Sequence, residues 1–89
     1  MKINILEEGP KKMLFEIEGE GHTFCNALRA KLLDVSGVHL AVYSIDHPLT
    51  GKPKMMLETT SIKPREALKK AAEALKKEFK DLEKEVGKI

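Results

Sequence analysis

Apolar and polar residues alternate twice near the amino terminus. Ile3 and Ile5 share one face of the run from Lys2 to Glu8, and Met13, Phe15 and Ile17 alternate with Leu14, Glu16 and Glu18. A period of two marks a half-buried strand. Gly9-Pro10-Lys11-Lys12 separates the runs with residues that break both regular structures, so they form an antiparallel hairpin. The period then changes. Between Gly19 and Gly37, Phe24, Leu28 and Leu32 recur every four residues, and Cys25, Leu33 and Val35 widen that side. This spacing predicts an amphipathic helix from roughly Phe24 to Val35. Thr23 stands at its start as an N-cap, and Gly37 is placed to take a positive φ and end it.

The run Val38 to Ile45 is rich in β-branched and aromatic residues and reads as a central strand. His47 to Pro53 is a turn. Lys54 to Ser61 is the last strand, with Met55, Leu57 and Thr59 on one face and Met56, Glu58 and Thr60 on the other. Pro64 opens a second helix at its preferred first position, with Glu66 against the positive end of the dipole. The order ββαββα predicts an α+β fold: a four-stranded, mainly antiparallel sheet with two helices on one face, the C-terminal one long.

That second helix holds more apolar surface than a small sheet can cover. Leu68, Ala72, Leu75, Phe79, Leu82 and Val86 follow in steps of four and three, a heptad seam, with Ala67, Ala71 and Ala74 broadening it. Glu66 with Lys70 and Glu73 with Lys77 are favourable i,i+4 pairs. The helix is expected to run to about Val86, roughly 35 Å at about 1.5 Å per residue, with Gly87 ending it. Burying six apolar side chains is worth on the order of 10 kcal/mol, comparable to the stability of a whole domain. Left in water they form a sticky ridge. The seam therefore calls for a partner helix, from a second copy or from a different chain. The competing reading has the last turns fraying, kept in solution by alternating Lys and Glu.

Size and charge narrow the classes. With 89 residues the chain is read as a single domain, 1–89, and a domain this small is marginal without added support. One cysteine excludes an internal disulfide and fits a reducing, cytoplasmic setting. The net charge of +2 supplies no general attraction to nucleic acid or membrane. A secretory leader is not expected, and no apolar run reaches the roughly 20 residues of a membrane span.

Candidate chemistry is sparse. His22 and Cys25 have an i,i+3 spacing that zinc ligands use, but His39 and His47 lie on other elements and no paired cysteine spacing exists. No metal or cofactor is expected. Cys25 has no recognisable base, and the better reading is a small buried residue. Gly19-Glu20-Gly21 is a short turn rather than a phosphate loop. Lys69, Lys70, Lys76, Lys77, Lys80 and Lys84 are interleaved with Glu66, Glu73, Glu78, Asp81, Glu83 and Glu85. That pattern fits a solvated face better than a phosphate-binding one, and few aromatics are available for base stacking. No catalytic residue emerges. A free-standing nucleic-acid-binding α+β domain using the lysine-rich helix is the rival reading.

Several segments, in order, resemble one family. His22-Thr23-Phe24-Cys25-Asn26-Ala27-Leu28-Arg29 is similar to the His-Thr-Leu-Gly-Asn-Leu-Leu-Arg signature of a small RNA polymerase subunit, called L in archaea. That subunit is itself similar to the amino-terminal domain of the bacterial alpha subunit. Ala41-Val42-Tyr43 and His47-Pro48-Leu49 resemble its Ala-x-Tyr…His-Pro-Leu segment. Thr59-Thr60, Pro64-Arg65-Glu66-Ala67-Leu68 and Ala71-Ala72 resemble its last strand and long helix. The chain departs from the pattern at Gly21, Phe24 and Cys25, where an acidic residue, Leu, and Gly or Ala are frequent.

The resemblance implies a non-catalytic assembly subunit. It implies a heterodimer with the polymerase's D subunit, made through packed helices, that forms a platform for the two large catalytic subunits, with this chain on the side of the largest. It implies no direct nucleic-acid site and no membrane contact. Phe24, Leu28, Leu32, Leu75, Phe79, Leu82 and Val86 are the expected partner-contacting or interface-supporting residues, with Asn26 and Arg29 orienting the first helix. Isolated, the chain is expected to be capable of homodimerising through the same surface.

Overall fold

Four strands and two helices follow the expected order: β1 (Lys2–Glu8), β2 (Lys12–Glu18), α1 (His22–Asp34), β3 (Val38–Ser44), β4 (Lys54–Thr59) and α2 (Pro64–Gly87). The structure is a computed structural model that describes residues 2–46 and 51–88. Residues 47–50, which hold His47, Pro48 and the first part of the expected second turn, lie outside the described residues.

The sheet is wholly antiparallel, in the order β1-β2-β4-β3. β3 is therefore an edge strand, which corrects its assignment as central. Its apolar character has another source: Ala41 is buried in the core, Val38 and Tyr43 pack against it, and Leu40 and Val42 alternate to the other side. A strand covered on one face that also carries the apolar Leu40 and Val42 on the other reads like an interior strand. Both edges carry a register shift, between Ile5 and Glu7 in β1 and between Val38 and Leu40 in β3. Such irregularities blunt an edge against unwanted pairing.

Register decides the core. Ile5 pairs with Phe15, Phe15 with Met55, and Met55 with Tyr43, so one cross-strand row runs beneath the helices. Met13, Leu57 and Ala41 form the next row. Met13, Phe15, Ile17, Met55 and Leu57 are wholly buried there, each contributing about 1.5–3 kcal/mol of burial. From above, α1 adds Cys25, Leu28 and Leu32, and α2 adds Ala67, Ala71 and Leu75.

Two helix boundaries differ from expectation. α1 begins at His22 with Gly21 in the N-cap position and no side-chain cap, so Thr23 lies inside the helix and is exposed. Cys25 N–H donates to Gly21 O at 3.1 Å, closing the first turn through the backbone alone. α1 ends with Val35 as C-cap, and Gly37, at φ +93°, instead makes the turn into β3. α2 starts at Pro64, as its fixed φ favours, and runs through Gly87 with Lys88 as C-cap. Among the described residues the i,i+4 pairs Glu66–Lys70 and Glu73–Lys77 are not closed as ion pairs. A different contact ties α2 to the sheet. Arg65 donates from Nε and Nη2 to the two carboxylate oxygens of Glu8, at 2.9 and 2.6 Å. This forked geometry fixes the start of α2 to the end of β1.

Candidate functional site

The apolar residues of α2 divide into two stripes. Ala67, Ala71 and Leu75 point down into the core, four residues apart. Leu68, Ala72 and Phe79 lie beside them and, with Leu75, form one wall of a groove of about 480 Å³. Phe24 and Leu28 of α1 and Ile3 of β1 complete its apolar lining, and Lys76, Lys80 and Glu83 supply its charged residues. Past the groove the same helix face continues through Leu82 and Val86. Phe79 is 53% exposed, and Leu82 and Val86 are each 58% exposed. No residue of α2 beyond Leu75 is buried. The last three turns of the heptad seam are thus helical, with Leu82 and Val86 exposed beyond the reach of the sheet.

The ridge has a second flank, toward α1. Lys31 of α1 pairs with Glu78, clamping the two helices along that flank. Arg29 Nε donates to Ala41 O on β3 at 3.0 Å, which sets the rotation of α1 on the sheet. His22 Nδ1 lies 3.2 Å from the Tyr43 hydroxyl, anchoring the amino-terminal end of α1 to β3. Phe24 and Leu28 reach the groove because these contacts aim α1 there.

The structure brings together four of the residues named from sequence: Phe24, Leu28, Leu75 and Phe79. Leu82 and Val86 extend the ridge in the open. Leu32, wholly buried, lies in the chain's own core and lines no part of the groove. Asn26 is exposed and makes no side-chain hydrogen bond among the described residues. Sequence reasoning passed over Ile3, Lys76, Lys80 and Glu83 as site residues. The lysines stand next to seam positions and were readable as flanks. Ile3 was not, because only the sheet order brings β1 under the far end of α2.

Little else in the fold supports chemistry. Cys25 is wholly buried, and burial pushes its thiol pKa up, away from nucleophilic use. Among the described residues no three or more His, Cys, Asp or Glu side chains converge as a metal site. No described helix is long and apolar enough to cross a membrane.

A small α+β module with an open apolar groove and an exposed helical ridge is a protein-pairing domain. The comparisons with known proteins agree. The model of the RNA polymerase Rpb3/Rpb11 dimerisation domain matches residues 12–85. The chain is 38% identical over 73 residues to the DNA-directed RNA polymerase subunit Rpo11 of Archaeoglobus fulgidus, spanning 82% of this chain and 85% of that one. It is 45% identical over 74 residues to the Rpo11 subunit of Sulfurisphaera tokodaii, spanning 82% and 80%. The crystal structure of DNA-directed RNA polymerase subunit L from Thermoplasma acidophilum matches with a TM-score of 0.85 at 25% identity, over 98% of this chain and 86% of that one. The chain belongs to the archaeal RNA polymerase subunit L family, whose members are non-catalytic small subunits built on a dimerisation domain.

Proposed function

We propose that this chain, acting as one module over residues 1–89, pairs with the D subunit of a cytoplasmic archaeal RNA polymerase. The pair forms the platform on which the two large catalytic subunits assemble, with this chain on the side of the largest. The observation that carries the proposal is the continuous exposed ridge Phe79, Leu82 and Val86 running out of the groove between α1 and α2. A helix of the partner laid along it removes from water the apolar surface that the sheet does not reach. Phe24, Leu28, Leu75 and Phe79 form the floor and walls of the contact, and Leu82 and Val86 extend it. Leu32 supports it from the core, and Arg29 holds α1 at the required rotation. Asn26 orients α1 from its exposed face once the partner supplies a hydrogen-bonding group.

Co-expression with the D subunit of the same polymerase tests the proposal. A one-to-one complex that survives gel filtration at micromolar concentration is expected. Separate elution of the two chains overturns it. When the D subunit is missing, the same surface supports self-association as a substitute.

A further inference from the structure

The groove carries a charged margin that its apolar character does not explain. Lys76 and Lys80 line it one helical turn apart, with Glu83 beyond them. Among the described residues none of the three closes an ion pair. Two like charges at i,i+4 on one helix face repel, so the isolated helix gains nothing from this spacing. The opposite flank of the ridge behaves differently, because Glu78 already pairs with Lys31. One side of the seam therefore carries an internal ion pair, and the other carries two lysines and a glutamate that close none, beside the apolar lining.

Resting on the pairing role proposed above, we infer that Lys76 and Lys80 select the groove's occupant: an amphipathic partner helix whose apolar stripe is flanked by carboxylates facing these lysines. An acidic helix meets these two positions with attraction.

The test titrates the full chain with the purified D subunit at about 50 mM and about 500 mM salt. A Lys76→Glu/Lys80→Glu double variant is compared with Lys69→Glu/Lys84→Glu, whose positions lie outside the groove lining. The groove variant is expected to bind about tenfold or more weakly at low salt, with the deficit shrinking at high salt. The control is expected to bind within about twofold of wild type. Superimposable thermal melts establish that both variants fold. Unchanged or tighter binding by the groove variant, or an equal loss in the control, overturns the selective role while leaving pairing intact. A wild-type chain that fails to bind the D subunit overturns the pairing role itself.

Discussion

Phe79→Ala separates binding from folding because of where the ring sits. Phe79 is 53% exposed in the isolated chain. An aromatic side chain carries about 150–250 Å² of surface, so about 100 Å² of this ring is available for a partner to cover. At about 25 cal/mol per Å² that surface is worth about 2.5 kcal/mol, or about 70-fold in the dissociation constant. The cost to the isolated fold is smaller, about 1–2 kcal/mol, since only the inner half of the ring packs on its own chain. Phe15→Ala provides the contrast. Phe15 is wholly buried in the sheet, and its truncation costs the fold about 3–5 kcal/mol. Calorimetric titration with the D subunit, paired with denaturant unfolding of the free chain, reads both quantities. A dissociation constant within about twofold of wild type refutes the reasoning, and so does a loss of free-chain stability equal to that of Phe15→Ala.

Three further outcomes follow from particular contacts. Gly37→Ala places a Cβ 2.6 Å from Ser61 Oγ and 3.0 Å from Ile62 Cγ2 at a φ of +93°, so unfolding by denaturant should show a loss of about 1–3 kcal/mol. Glu8 and Glu18 are held below the ordinary glutamate pKa, Glu8 by its hydrogen bonds to Arg65 and Glu18 by those from Lys52 and Asn4. A depressed folded-state pKa gives stability that is present at neutral pH and is lost as pH falls from about 4.3 through the folded values. Arg65→Gln should flatten the Glu8 part of that decline in denaturation midpoints measured between about pH 7 and pH 3, and an unaltered profile counts against the pair. Cys25, buried and with its thiol pKa raised, should react with a thiol reagent only as fast as the fold opens, with labelling accelerated by denaturant. Rapid labelling of the native chain contradicts the packing described for α1.

Much of the fold was legible because each element carries one dominant period. The alternation of Met13, Phe15 and Ile17, and of Met55, Leu57 and Thr59, survives intact as the two inner strands, whose alternate residues are all buried. Pro64 marks the start of α2 in sequence and structure alike. What did not show is non-local. Nothing in Val38–Ser44 reveals that β4 takes the inner position beside β2 and leaves β3 at an edge. Thr23 offered a plausible hydroxyl cap, but the helix starts two residues after Glu20 and its first turn is closed by the Gly21 carbonyl. The groove was half legible. Leu75 and Phe79 lie on the heptad seam and line the groove, because helical spacing is local information. It could not separate Leu32, sunk in the core, from Leu28, which reaches both core and groove, because that depends on how Arg29 rotates α1 against Ala41. Ile3 enters the groove through the sheet order alone.

The central claim is that the D subunit covers the α1–α2 groove and the ridge beyond it. Amide hydrogen exchange of the free chain and of its heterodimer tests this directly. Strong new protection is expected across Lys76 to Val86, the exposed part of α2, with the already buried strands β2 and β4 little changed. Protection confined to the helix-free face of the sheet, with α2 exchanging as fast in the heterodimer as alone, contradicts it.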